Sequence, residues 1–250
     1  MLPASEATAN IIRENWIRVE QRVAEACRLA DRPAEQVQIV GVSKYVDAPL
    51  AMQLVAAGCH ILGENRPQSL WAKADSWACN GQVAGVEQPI SPAWHLIGHL
   101  QRNKLRRTLP LISYLHSLDS LRLAEAINLS VLESGRDSLP VLVEVNPTND
   151  PQKTGLPPSE VHSFLEAALP LPGIQVRGLM AMSSLQASSS VARREFAQVR
   201  QMRDELQAAF GDDVQLAELS MGMSGDFDQA IAEGATLVRI GTLLWEGVLI

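Results

Sequence analysis

An alternation constrains this chain more than any other feature. Short apolar runs bounded by Gly, Pro, Asn and Asp recur along most of its length, and helix-like segments separate most of them. Eight runs read as strands: Gln38–Ser43, His60–Gly63, Trp94–Gly98, Tyr114–Ser117, Pro140–Asn146, Gln175–Met182, Gln215–Ser220 and Thr236–Gly241. That order implies βαβ units around a parallel sheet. Eight such units closed into a ring give an α/β fold, the (β/α)8 TIM-like barrel. The rival is a doubly wound open sheet, which usually carries a glycine fingerprint after its first strand. Here the first strand ends in Ser43-Lys44 instead. The 250 residues suit one barrel, and no linker, repeat or low-complexity tract divides them, so 1–250 reads as a single domain.

Helical periodicity fills the gaps. A long helix, extra to the barrel, is expected from Glu6 to Ala30, because Ile12, Trp16, Val19, Val23 and Cys27 fall on one face. Ala48–Ala57 ends at Gly58, which suits a C-cap. Ser159–Ala168 ends before Pro170, Ser190–Phe210 at Gly211 and Phe227–Glu233 at Gly234. Between the second and third strands the pattern is weakest. Trp71–Cys79 reads there as a helix and Asn80–Pro92 as a loop.

Composition excludes several function classes. The net charge is −7 with Lys and Arg dispersed, so nucleic acid is not an expected partner. The basic run Asn103-Lys104-Leu105-Arg106-Arg107 reads as a solvated helix face. No uncharged stretch is long enough to cross a bilayer and no basic-then-apolar leader is present, so no membrane is expected as a partner. Cys27, Cys59 and Cys79 are odd in number and form no CxxC pair, which argues against disulfides or structural zinc and fits a reduced, cytoplasmic compartment.

In such a barrel the working residues stand at the C-terminal ends of the strands. Lys44 follows the first. Partial desolvation at a strand end would lower the pKa of its amine and make it a nucleophile; the alternative is a surface lysine at the rim. Asn65, after the second strand, suits a hydrogen bond to a ring hydroxyl or carbonyl, or a plain turn, and Glu64 suits a structural ion pair. His95 and His99 are four apart, a metal spacing on a helix but not on a strand. On a strand, His95, Ile97 and His99 share one face, and His95 either shapes a pocket or sits satisfied in the core. Ser117 is expected at the mouth and Asp119 as the cap of the next helix. Met180 and Met182 share a face as core filler or as ring contacts. The turn-rich loop after Asn146 reads as a lid or as an ordinary surface connection.

The last two strand ends carry the sharper signal. Gly222-Met223-Ser224-Gly225-Asp226 and Gly241-Thr242 are small-residue turns whose backbone N–H groups and hydroxyls suit a phosphate. A lysine and an anion cradle at one barrel mouth are the parts needed to hold an aldehyde that carries a phosphate. Arg239 shares a strand face with Gly241. If that face points inward, the buried guanidinium needs an acceptor, and a pyridine nitrogen would serve. The alternative is an outward arginine paired with a helix carboxylate.

Val42-Ser43-Lys44, Gly63-Glu64-Asn65, the run from Trp94 to Lys104, Arg177-Gly178-Leu179-Met180, Leu219-Ser220-Met221-Gly222-Met223-Ser224 and Arg239-Ile240-Gly241-Thr242 together resemble the pyridoxal-phosphate homeostasis protein family. The match runs in order from about residue 37 onward. The resemblance implies a single-domain fold-type III barrel similar to the N-terminal domain of alanine racemase, with pyridoxal 5′-phosphate as cofactor. It implies that Lys44 forms the aldimine, that Ser224, Gly241 and Thr242 bind phosphate, that Arg239 faces the pyridine nitrogen, and that Asn65 and Met221 line the pocket. The chain departs from the family at Arg66-Pro67 and at Leu243-Leu244-Trp245-Glu246-Gly247.

The function expected from the resemblance is a cofactor carrier in vitamin B6 and amino-acid homeostasis, without dedicated catalysis. Its partners would be the cofactor and pyridoxal-phosphate-requiring apoenzymes, and the chain would be a monomer or weak dimer. The alternative is a pyridoxal-phosphate-dependent amino-acid racemase. That enzyme needs a second acid–base group across the ring, for which only His95 or Tyr45 offers itself; the further β domain that supplies a tyrosine in alanine racemase is not expected here. A Schiff-base aldolase and a purely regulatory interaction module are the other readings.

Overall fold

The eight apolar runs become strands because each is short, rich in Val, Ile and Leu and ended by turn residues. They are β1 (Gln38–Val42), β2 (Ile61–Glu64), β3 (Ala93–Leu96), β4 (Tyr114–Leu118), β5 (Leu139–Val145), β6 (Ile174–Ala181), β7 (Glu218–Met223) and β8 (Leu237–Ile240). In the computed structural model, which describes residues 6–80, 91–148, 154–185 and 187–249, they pair in chain order as a closed barrel. All neighbours are parallel, and β8 closes on β1 with Gly41 opposite Ile240. The open doubly wound sheet is thereby excluded.

The helices α1 (Glu6–Leu29), α2 (Ala48–Ala56), α3 (Pro67–Asn80), α4 (Leu105–Thr108), α5 (Leu121–Glu133), α6 (Val161–Ala168), α7 (Ser189–Phe210) and α8 (Phe227–Ala232) lie outside the barrel. α1 is the extra helix. It buries Ile12, Trp16, Val19, Val23 and Cys27, the face its periodicity predicts, against α2, α8 and the turn at Thr242–Trp245. Gly211, at φ 57, ends α7.

Strand alternation sorts the side chains into two cores. One large hydrophobic layer joins sheet and helices. Inside the barrel a small cluster of Val40, Tyr114, Leu142, Met180 and Leu237 fills the lower part. Ile61, Ile97 and Met182 pack against it, and the buried polar groups His95, His116, Glu144, Ser220 and Arg239 share the interior and set up the site.

Several boundaries differ from expectation for local reasons. α3 starts at Pro67 instead of Trp71, because a proline at the first helical position has no donor to lose. β3 stops at Leu96, so His99 lies beyond the strand. Ser120, not Asp119, is the N-terminal cap residue of α5; Asp119 is drawn away to His99, 3.1 Å from its Nδ1. β7 runs on to Met223 and takes in Gly222. The expected loop at Asn80–Pro92 lies mostly outside the described residues, as does part of the connection after β5.

Candidate functional site

β1 carries Val40 into the inner cluster, so alternation places Val42 and Lys44 above it on the same face. Asp47 caps α2 by accepting from Leu50 N at 3.2 Å, and the Val46 N–H donates to the Ser43 carbonyl at 3.1 Å. Lys44 therefore sits in a tight turn between a strand end and a helix start, at the barrel mouth. It is exposed, with Nζ 4.8 Å from the centre of the Tyr45 ring. The expected desolvation is corrected to the surface alternative: the Lys44 side chain stands exposed at the rim, against the Tyr45 ring.

Behind that turn is a buried ion pair. Glu64 points away from the barrel axis and pairs with Lys73 of α3. Lys73 Nζ also donates to the Ser43 carbonyl at 2.6 Å, and Ser43 Oγ donates to Glu64 Oε1 at 2.7 Å. Two charges taken out of water need partners of this kind, and here the partners fix the backbone next to Lys44. Glu64 is thus the structural ion-pair residue, and Asn65 after it is the half-buried one at the mouth. The Asn65 amide makes no hydrogen bond with a described residue. Its backbone is pressed by Gly98, where an added Cβ would lie 2.3 Å from Asn65 O.

The turns after β7 and β8 meet. Gly241 N donates to Ser224 Oγ at 3.1 Å. Asp226 closes the first turn by accepting from Met223 N and from Ser183 Oγ, each at 2.6 Å. Gly222 takes φ 87, and an added Cβ would lie 2.8 Å from Phe227 Cα, so only glycine lets this turn lie down on α8. Gly225 faces open space, and Thr242, next to Gly241, is exposed. Because β1 neighbours β8, Lys44 and the joined turns share one sector of the mouth.

Arg239 points inward and is 4% exposed. Its Nη1 donates to Ser220 O and Ser220 Oγ, both at 2.7 Å, and Nη2 to Ala181 O at 3.0 Å. No carboxylate among the described residues lies within ion-pair distance, so the outward, helix-paired alternative is excluded. Burial pulls its pKa down to about 10, against the pull of Asp226 and Glu144, which leaves it a cation at neutral pH. Glu144 also faces the interior; burial raises its pKa, while a hydrogen bond from Thr154 opposes that.

His95 is the satisfied core histidine. Its Nδ1 lies 3.0 Å from His116 Nε2, and burial holds its pKa down to about 3. His99 is exposed, and the described residues contain no group of three ligands fit for a metal. Met221 is not brought to the mouth: Ser220 points inward, so Met221 packs in the layer between sheet and helices. Sequence reasoning missed Trp245, whose Nε1 donates to Val42 O at 2.9 Å and ties the chain end to β1. Asn15 of α1 holds the same turn through Leu244 O at 3.1 Å and Glu246 O at 2.9 Å. The unusual Leu-Leu-Trp-Glu-Gly ending thus anchors the strand that leads to Lys44.

The fold is that of one class. The family described as alanine racemase, N-terminal domain, matches residues 19–247. The pyridoxal phosphate homeostasis protein of Aquifex aeolicus (strain VF5) is 35% identical over 234 residues, covering 93% of this chain and 96% of the relative. PipY of Synechococcus elongatus PCC7942, solved with pyridoxal phosphate bound, is 34% identical with a TM-score of 0.76, over 89% of this chain and 99% of PipY. An unknown protein from Bifidobacterium adolescentis is 36% identical with a TM-score of 0.85, over 96% of this chain and 97% of that one. The chain belongs to the pyridoxal phosphate homeostasis protein family.

Proposed function

We propose that the chain binds pyridoxal 5′-phosphate at the barrel mouth and serves vitamin B6 and amino-acid homeostasis in the cytoplasm as a carrier, without dedicated catalysis. One observation carries the reading: a buried guanidinium with no ion-pair partner among the described residues lies under two joined small-residue turns, on the strand beside the one that leads to Lys44. The residues fit the cofactor. Arg239 commits both terminal nitrogens to protein acceptors but its Nε–H to none among the described residues, and a pyridine nitrogen is a neutral acceptor for it.

When bound, the cofactor supplies an aldehyde that condenses reversibly with an amine. Lys44 Nζ, free of any ion pair among the described residues, is that amine. Ser224, Gly241 and Thr242 hold the phosphate, and the free Asn65 amide hydrogen-bonds the ring substituents. Met221 supports the turn from below instead of touching the ligand. Arg239 remains a donor, so the ring nitrogen carries no proton and the ring withdraws electrons less strongly, which suits holding over turnover.

The names of the relatives and the ligand bound to PipY support this reading. The racemase alternative needs a free acid–base partner across the ring. Tyr45 lies against the same lysine, and His95 is committed to His116.

Purified protein incubated with pyridoxal phosphate is expected to turn yellow, and Lys44→Ala to lose the visible band. Alanine incubated with the loaded protein in deuterated buffer is expected to keep its α-proton. A colourless protein at saturating cofactor would defeat the binding half. Lys44-dependent racemase or decarboxylase turnover would defeat the non-catalytic half.

A further inference from the structure

Below Arg239 the interior holds a polar chain that the function above does not use. Ser220 Oγ lies 2.9 Å from His116 Nδ1, and His116 Nε2 lies 3.0 Å from His95 Nδ1. Ser220 and His116 are fully buried and His95 is 5% exposed. The chain links β8, β7, β4 and β3, and it ends at the guanidinium assigned to the cofactor's ring nitrogen.

Donor counting gives the chain a direction. A guanidinium only donates, so Ser220 Oγ accepts from Arg239 Nη1. The hydroxyl has one proton of its own, and His116 Nδ1 is the acceptor within reach. His116 then carries its proton on Nε2 and donates to His95 Nδ1. In the reverse arrangement His116 would donate to Ser220 Oγ, and the hydroxyl proton would be left without an acceptor among the described residues. A buried unpaired donor is costly, so the first arrangement holds. It requires two neutral imidazoles. Burial keeps both well below their usual pKa, and the neighbouring Arg239 cation acts on His116 in the same direction.

We propose that His116, backed by His95 and acting through Ser220, is a positioning residue for Arg239, fixing the serine hydroxyl and thereby aiming the guanidinium at the ring nitrogen of bound pyridoxal phosphate. The proposal rests on the reading that Arg239 faces that nitrogen. Of the three acceptors on Arg239, two are backbone carbonyls and immobile. The Ser220 hydroxyl is the one that can turn, and His116 decides which way it points.

The test uses the full chain loaded with pyridoxal phosphate carrying 15N in the ring, unchanged and as Arg239→Gln, His116→Leu, His116→Asn and Ser220→Ala. The ring-nitrogen chemical shift and the dissociation constant are read for each. Arg239→Gln is expected to move the resonance. His116→Leu and Ser220→Ala are expected to move it the same way and to weaken binding about tenfold, as loss of an aimed charged donor does. His116→Asn places an acceptor near the lost Nδ1 and is expected to restore affinity to within about twofold. Combining His116→Leu with Arg239→Gln is expected to add nothing to Arg239→Gln alone, because the path ends at the arginine.

An unmoved resonance in Arg239→Gln would overturn the underlying reading and the proposal with it. A shift in Arg239→Gln with none in His116→Leu and Ser220→Ala, or no rescue by His116→Asn, would overturn the proposal alone. If His116→Leu fails to fold, Ser220→Ala, which deletes one oxygen, decides between the same two outcomes.

Discussion

Lys73→Met separates a structural charge pair from the site it supports. Side-chain exposure is 6% for Lys73 and 0% for Glu64. Glu64 Oε1 takes both Lys73 and Ser43, while Oε2 has no partner among the described residues, so removing the ammonium strands a carboxylate in the core. Breaking a buried pair from one side costs about 3–5 kcal/mol, and methionine fills the lysine stem's volume at little packing cost. For a chain of this length each kcal/mol moves the melting temperature by about 2–4 °C, so the expected drop is roughly 6–20 °C. Pairing Lys73→Met with Glu64→Gln removes both charges and is expected to recover most of that loss. Urea unfolding of the parent, both single variants and the double variant gives the coupling directly. Lys73→Met also frees the Ser43 carbonyl, so weaker pyridoxal phosphate binding is expected even where the protein remains folded. A single variant within about 1 kcal/mol of the parent, or a double variant no better than Lys73→Met, would refute the reasoning.

Other expectations follow from the interior and the turns. His95 is held down to about 3 and His116 well below its usual value, so both are neutral in the fold and take up protons on unfolding below pH about 6.5. The unfolded chain then binds more protons, and stability is lost as pH falls from about 6.5 toward 3, by up to about 1.4 kcal/mol per pH unit for each histidine. Glu144, raised by burial, works in the opposite sense and offsets at most one of the two. Urea midpoints that do not fall between pH 7 and 5 would contradict the neutral pair. Ser224→Val deletes a phosphate donor and is expected to raise the dissociation constant by about 10- to 100-fold, from a charged hydrogen bond of roughly 1.5–3 kcal/mol; fluorescence titration checks it. Gly98→Ala forces a Cβ to 2.3 Å from Asn65 O, so a loss of about 1–3 kcal/mol and weaker cofactor binding are expected in unfolding and titration experiments.

The barrel was legible because periodicity and turn residues act over a few residues. Each strand–helix unit announces itself locally, and Gly58, Gly211 and Gly234 mark ends that propensity alone would blur. Lys44 and the two turns were legible by position, since strand ends gather at one mouth. What joins them was not. Trp245 reaches Val42 across 203 residues, and His116 reaches Ser220 across 104. Alternation says that such side chains point inward but not which ones meet. The exposure of Lys44 is a tertiary fact that a strand end alone does not reveal. Met221 turned on strand phase: with Ser220 bonded inside the barrel, its neighbour has to face the helices.

Borohydride reduction of the pyridoxal-phosphate-loaded protein, followed by tryptic peptide mass mapping, tests the central claim most directly. The account predicts a single pyridoxyl group on Lys44, with tryptic cleavage after that residue blocked. A label on another lysine, or no label on a protein that has bound the cofactor, would contradict it.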